Sequence, residues 1–297
     1  MPELPEVETT KASLEPLLGL RLVNVTVYQP SLRWAVPADL SQLIGLTLNH
    51  LSRRSKYIIA DFEGKQMLWH LGMSGSFRLC EPYTELRKHD HVVFDFGDIH
   101  LRYHDPRRFG CLLWLDQLNQ QKLIDPLGPE PLSDDFSADY LFEKLKNKQV
   151  AIKVGLMDNH IVVGVGNIYA TECLFNTAIH PAQPANSLSQ AQVIALVAEI
   201  KKVLAHAIQL GGSTLRDYSN ASGENGYFQQ TLLAYGRVGE MCVNCETPIE
   251  NIKLGQRASA FCPQCQPLKK VKIKTTATKS KKKATQVSAR KTNGVVK

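Results

Sequence analysis

The stretch MDNHIVVGVGNIYATECLF, residues 157–175, decides how the second half of the chain is built. A helical pattern enters it from Val150 and another leaves it at Asn167, with Gly164 and Gly166 between them. Glycine lets a backbone come close to another surface. Asn167 is a natural N-cap for a helix beginning at Ile168. Bare N–H groups at a helix start attract anions, and phosphate is the obvious one. Lys148 and Lys153 lie on the preceding segment. The same pattern also reads as a plain helix hairpin with a capped second helix.

Working outward, residues 189–210 continue the helical half, with Ser189 as N-cap and Gly211 as the stop. Residues 138–146 are the helix before the turn. DPLGPEPLSDDF, residues 125–136, is dense in Pro, Asp and Gly and reads as a linker. Upstream the pattern changes to strands: LVNVTV, KYIIADF, MLWHL, HVVFDF, IHLRYH and CLLWL are short, β-branched and aromatic. FGDIH places Gly97-Asp98 as a tight hairpin loop between two of them. One helix, over residues 5–18, precedes the strands. The order of strands, then helices, gives an α+β chain.

Downstream, MCVNCETPIENIKLGQRASAFCPQC presents Cys242-x2-Cys245 and Cys262-x2-Cys265. Two such pairs predict one tetrahedral four-thiolate zinc site, closed and therefore structural. Arg257 would stand at the tip of the hairpin between them. Cys80, Cys111 and Cys173 lie in apolar runs and read as packing residues.

The net charge of +7 is misleading taken whole. Residues 268–297 hold 11 of the 35 Lys and Arg and no acidic residue, leaving 24 basic against 28 acidic residues in the body. A DNA-binding face on the body must therefore come from local clustering. The tail has no aromatic residue and no helical period, so the sequence predicts disorder there, serving non-specific DNA contact or solubility. No signal peptide and no membrane span is evident. Thiols without an export signal point to the reducing cytoplasm.

The chain opens MPELPEVE. Pro5 suits a first helical position, with Glu6 and Glu8 near the positive end of that helix. This leaves Pro2 and Glu3 unexplained. PELPEVE, SRRSKY, HLGMSG, KHDH, DPRRFG, LGPEPL, the MDN…GVGNIYA segment and the cysteine unit with QRA together resemble the bacterial formamidopyrimidine-DNA glycosylases, from residue 1 to about 266. The tail lies outside the resemblance.

The resemblance implies an N-terminal β-sandwich with one long helix (residues 1–124), a linker (125–136) and a helical helix–two-turn–helix domain (137–240). A zinc finger (241–267) and the tail (268–297) complete the chain. DNA would run through the cleft between the domains. It implies a monomeric, cytoplasmic, nucleoid-associated repair enzyme acting on duplex DNA that carries oxidised purines or abasic sites. Pro2, freed by removal of Met1, would be the nucleophile; a terminal amine titrates near pH 8 and is partly neutral at pH 7. Glu3 and Lys56 would serve acid–base steps, and Arg257 would hold phosphate and promote δ-elimination. Met73, Arg107 and Phe109 would fill the hole left by the extruded base. His89, Arg107, Lys148 and Asn167 match DNA-contact positions, and residues 217–227 match a loop closing over the base. Two other readings compete: the sister endonuclease VIII family, which typically starts PEGPE and lacks the Met/Arg/Phe set, and a zinc-dependent DNA binder without activity.

Overall fold

The structure is a computed structural model and describes residues 2–213, 221 and 226–269. Helix α1 (Leu4–Ser13) leads into eight strands: β1 (Asn24–Val27), β2 (Leu48–Arg54), β3 (Tyr57–Phe62), β4 (Lys65–His70), β5 (Ser76–Cys80), β6 (Asp90–Asp95), β7 (His100–His104) and β8 (Cys111–Trp114). They form two antiparallel four-stranded sheets, ordered β1-β6-β7-β5 and β2-β3-β4-β8. In β3 the side chains alternate, with Ile58, Ala60 and Phe62 buried and their neighbours half-buried, as a one-faced strand requires. Trp69 of one sheet meets Phe77 and Phe94 of the other at ring distances of 4.8 and 5.5 Å, so the two sheets share one core. The predicted hairpin at FGDIH is present: Gly97 has φ +88° between β6 and β7.

The first helix is shorter than the sequence predicts. It ends at Ser13 and is followed by a separate tight turn at Glu15–Leu17, because Pro16 cannot continue the α-helical ladder. Strands β2 and β5 were not foreseen: LNHLSRR and SFRLC carry too many polar residues, and their partners β3 and β7 supply the order.

After a short turn of helix α2 (Gln117–Asn119), the second half contains α3 (Ala138–Leu145), α4 (Ile152–Leu156), α5 (Asn167–Asn176) and α6 (Gln190–Gln209). Ser189 caps α6 by accepting from Gln192 N at 3.3 Å. Its buried face, Val193, Leu196, Val197, Ile200, Val203 and Leu204, follows the helical period. Burial of each such side chain is worth roughly 1.5–3 kcal/mol. Among the described residues, no helix is long and apolar enough to cross a membrane.

The stretch 125–136 is irregular in backbone but firmly packed. Phe136 is fully buried, Gly128 N donates to Asn159 O at 2.8 Å, and Val163 N donates to Pro129 O at 3.2 Å. A two-stranded hairpin, β9 (Glu250–Leu254) and β10 (Arg257–Phe261), ends the described chain. Its tip, Gly255 and Gln256, has φ of +51° and +64°, as a two-residue hairpin loop demands. Most of the tail, residues 270–297, lies outside the described residues, as do 214–220 and 222–225; of the expected base-covering loop only Ala221, Gly226 and Tyr227 are described.

Candidate active site

The glycine turn does approach another surface, and that surface is the chain's own N-terminus. Leu4 N donates to Gly164 O at 3.1 Å. A Cβ on Gly164 would overlap Leu4, and one on Gly166 would overlap the Glu3 carboxylate. Glu3 accepts from Gly166 N at 2.8 Å, Ile168 N at 2.9 Å and Tyr169 N at 3.4 Å. The anion at the start of α5 is thus Glu3 itself. This corrects the expectation of a bare phosphate site: the N–H groups are already taken. It also corrects the N-cap, which is Gly166, with Asn167 already inside the helix. Asn167 Oδ1 is buried without a partner, and Asn167 and Tyr235 line the same cleft.

A second carboxylate secures the same corner. Glu6 accepts from Glu3 N at 2.8 Å, the Tyr169 hydroxyl at 2.5 Å and Ser213 N at 2.8 Å. Pro2 is buried at the head of α1, beside Glu3.

Glu3, Lys56, Met73, Asn167 and Arg257 line one cleft of about 310 Å³, with Tyr235 as a further wall. Burial pushes the Glu3 carboxyl above the usual carboxylate range, and the Lys56 ammonium pulls it back. Burial likewise lowers Lys56; Glu3 and Glu6 oppose that shift, and Arg257 adds to it. An acid raised and an amine lowered, facing each other, are both brought toward a state in which protons can move.

Lys56 follows Ser55, whose φ of +56° turns the chain between β2 and β3. Glu130, in the supposed linker, holds that turn. It accepts from Ser55 N at 2.7 Å and pairs with Arg53 at 2.6 Å and Arg54 at 2.8 Å. Arg53 also pairs with Glu8 of α1 at 2.6 Å.

Met73 and the pair Arg107–Phe109 stand on adjoining loops. Ser74 Oγ donates to Asp105 Oδ1 at 2.7 Å, and Gly110 N donates to Asp105 Oδ2 at 2.8 Å. The Arg107 guanidinium lies 4.8 Å from the centre of the Phe109 ring, and both side chains are exposed. Burial, aided by Lys56 and Arg33, lowers His70 to about 4, so its Nδ1 is a neutral acceptor for Gly72 N at 3.0 Å. His89 joins this region through its carbonyl, which accepts from Asp105 N at 3.1 Å.

Lys148 is exposed and shares with Arg257 a neighbouring cavity of about 350 Å³. Lys153 is a different case from Lys148. It is 1 % exposed, and its Nζ donates to Thr171 Oγ1 at 2.8 Å and Ala258 O at 3.2 Å, tying α5 to the strand that begins with Arg257. Burial lowers its pKa to about 8 against the pull of Glu3.

The four cysteines converge. Their sulfurs all lie within 4.8 Å of one another, with contacts of 3.4 Å for Cys245–Cys262 and Cys245–Cys265 and 3.9 Å for Cys242–Cys265. A zinc tetrahedron with bonds of about 2.3 Å has sulfur–sulfur edges of about 3.8 Å, so the donor set and the spacing fit zinc. Asn244 N and Cys265 N point at Cys242 Sγ and Cys262 Sγ, supporting the thiolates from behind.

Sequence reasoning missed Asp105, Glu6, Glu130, Glu172 and Tyr235. Glu172 is buried and accepts from Leu233 N, Ala234 N and Tyr235 N at 2.8, 3.0 and 2.7 Å, which fixes the Tyr235 segment on α5. Glu172 alone gave a signal: an acid inside an otherwise apolar helical run.

Comparisons with known proteins agree with this geometry. Residues 1–112 match the formamidopyrimidine-DNA glycosylase N-terminal domain, and residues 127–219 match the H2TH domain of the same enzymes. Residues 239–268 match a zinc finger found in FPG and IleRS. The chain is 71 % identical over 271 residues to a formamidopyrimidine-DNA glycosylase of Acinetobacter baylyi, covering 91 % of this chain and 100 % of that one. A homologue from Shewanella woodyi is 50 % identical over 270 residues, covering 90 % and 99 %. Among solved structures, a Lactococcus lactis FPG variant bound to Fapy-dG-containing DNA superposes with a TM-score of 0.83 at 36 % identity, covering 90 % of this chain and 100 % of that one. The L. lactis enzyme bound to abasic-site DNA gives 0.82 at 37 %, covering 89 % and 99 %.

Proposed function

The chain belongs to the formamidopyrimidine-DNA glycosylase family, and from that premise we propose that it removes oxidised purines, 8-oxoguanine and formamidopyrimidines, through a covalent Pro2 intermediate and then cuts the strand. It is a base excision repair glycosylase with one structural zinc in its C-terminal finger. The observation that carries the proposal is the seat of Glu3. Three backbone N–H groups from residues 166–169 fix the carboxylate next to Pro2, facing Lys56 and Arg257 across one cleft.

With Met1 removed, Pro2 is a secondary amine. Its lone pair attacks the sugar carbon bearing the damaged base, and the bond to the base breaks with its electrons leaving on the base. Glu3, whose carboxyl is raised by burial above the ordinary carboxylate range, is placed to give and take the protons of these steps. The adduct nitrogen loses its proton, and its lone pair then opens the sugar ring by breaking the C1′–O4′ bond, the ring oxygen taking up a proton. The product is a cationic iminium, which acidifies the adjacent sugar proton. Loss of that proton expels the 3′ phosphate, and a second elimination expels the 5′ phosphate. Lys56, lowered by burial and adjacent to Glu3, assists proton transfer. Arg257, on the hairpin that the zinc staples, holds phosphate and promotes the second elimination. Zinc, bound by Cys242, Cys245, Cys262 and Cys265, supplies only fold.

Met73, Arg107 and Phe109 enter the gap left by the extruded base, Met and Phe as apolar wedges and Arg as donor to the orphaned cytosine. His89, Lys148 and Asn167 contact the strands. The enzyme acts as a monomer in the cytoplasm, at the nucleoid.

Borohydride trapping tests the nucleophile. A form that retains Met1 is expected to give no covalent protein–DNA adduct; trapping at the wild-type rate would refute the role of Pro2. Excision from duplexes carrying 8-oxoguanine or thymine glycol, run side by side, separates the purine from the pyrimidine branch.

A further inference from the structure

We propose that Ser74 and Asp105 form a clamp between the two base-replacing loops, and that this clamp sets the preference for the base opposite the lesion. The inference rests on the reading of Met73, Arg107 and Phe109 as the residues that enter the gap.

Asp105 is fully buried beneath the exposed Arg107–Phe109 loop. Its Oδ1 accepts from the Ser74 hydroxyl at 2.7 Å and from Arg107 N at 3.3 Å. Its Oδ2 accepts from Gly110 N at 2.8 Å and the Tyr103 hydroxyl at 3.2 Å. Ser74 Oγ in turn accepts from Arg107 N at 3.2 Å. One carboxylate and one hydroxyl therefore fix the residue after Met73, the backbone of Arg107 and the residue after Phe109.

The rest of Asp105 is equally engaged. Its carbonyl accepts from Arg108 N at 3.2 Å and lies 2.8 Å from His91 Nε2, while its N–H donates to the His89 carbonyl at 3.1 Å. The loops have no slack elsewhere. A Cβ on Gly72 would overlap the Phe109 backbone, and one on Gly110 would overlap the Tyr103 hydroxyl. With the backbones in contact, the Ser74 hydroxyl, bonded to both Asp105 Oδ1 and Arg107 N, registers one loop against the other. Asp105 and Ser74 point inward, away from the exposed side chains above them, so they are positioning residues. Their effect should fall on the geometry of the Arg107 donors, since a hydrogen bond to a base edge fails with a shift of a few tenths of an ångström.

The test measures single-turnover excision of 8-oxoguanine opposite cytosine and opposite adenine. Cleavage of a single-stranded abasic oligonucleotide, which has no opposite base, serves as the reference. Arg107→Ala calibrates the reading and should lower the cytosine-over-adenine ratio about tenfold. Ser74→Ala should lower the same ratio about fivefold, the equivalent of one net hydrogen bond, and leave single-strand cleavage unchanged. Ser74→Thr keeps the hydroxyl and should restore the ratio. Asp105→Asn cannot accept on its amide nitrogen and should behave as Ser74→Ala or worse. If Arg107→Ala lowers the ratio and Ser74→Ala does not, the clamp is refuted and the gap-filling reading stands. If Arg107→Ala leaves the ratio unchanged, the reading itself falls, and the clamp with it. An equal loss of single-strand cleavage in Ser74→Ala would mean a general structural defect and would also overturn the proposal.

Discussion

Replacing Lys153 with methionine removes one buried ammonium and keeps a side chain of similar length. The wild-type amine is lowered from its ordinary 10.5 to about 8, chiefly by burial. At 1.36 kcal/mol per unit, the charged form costs the folded state about 3 kcal/mol. Below pH 8 both folded and unfolded chains hold the proton, and the fold bears this cost in full. Between pH 8 and 10.5 the folded lysine is neutral while the unfolded one remains charged. The unfolded state then binds more protons, so stability rises with pH across that window. The methionine variant lacks this rise. At an unfolding entropy of about 2.1 cal/mol/K per residue, 3 kcal/mol corresponds to about 5 °C in a chain of this size. Calorimetry at fixed free zinc should therefore show the Tm of the wild type gaining about 5 °C on Lys153→Met between pH 7 and 11. At neutral pH the lost bonds to Thr171 and Ala258, about 1 kcal/mol each, offset part of the relief. A Tm difference that stays constant across the range would refute the reasoning, since it would mean that Lys153 titrates like a solvated lysine.

Further outcomes concern the site and the tail. Cys262→Ser should lose the metal, measured by atomic absorption, and with it local folding energy of roughly 10–16 kcal/mol, while circular dichroism shows the N-terminal strands intact. Arg257→Ala should keep zinc and base release but accumulate the β-elimination product on gels; an unchanged product ratio would count against its role. Gly166→Ala places a methyl group where the Glu3 carboxylate sits, so base excision should fall by two orders of magnitude or more, roughly the contribution of general acid–base catalysis; wild-type excision would show that the seat of Glu3 is dispensable. Deleting residues 268–297 should weaken binding to undamaged duplex and flatten its salt dependence by roughly 0.9 in log–log slope per lost phosphate contact. Equal slopes would leave the tail a solubilising extension.

The parts of the molecule that follow local rules could be read from the sequence. The period of 2 in KYIIADF, the turn at Gly97, the cap at Ser189 and the paired CxxC motifs each carry their structure within a few residues. Strands β2 and β5 could not be read in this way: LNHLSRR and SFRLC are too polar to show a strand pattern, and although β2 pairs with its neighbour β3 across the turn at Ser55, β5 takes its partner from β7, two strands further on. The site divides along the same line. Glu3, Lys56, Met73, Arg107, Phe109 and Arg257 were legible as candidates through motifs. The long-range bonds made by carboxylates around the cleft were not. Glu130 reaches Ser55 across 75 residues and Glu3 reaches Gly166 across 163, and no local pattern encodes such a bond. Asn167 shows the error this produces: a cap residue at a helix start was a sound local inference, and a carboxylate from the other end of the chain displaced it.

The seating of the N-terminus in the glycine turn also imposes an order in time on biosynthesis. In the folded chain Pro2 is buried, Glu3 is 2 % exposed and Leu4 is fully covered, so the residues that a trimming peptidase must grip behind Met1 are enclosed. The residues that cover them, 164–169, leave the ribosome roughly 160 positions later, which at about 5–20 residues per second is roughly 8–30 s. Trimming of Met1 is therefore expected within that interval, before Glu3 and Leu4 have met their partners in the glycine turn. Expression that outruns the trimming enzyme would then leave a fraction that keeps Met1 ahead of Pro2, which intact mass would reveal.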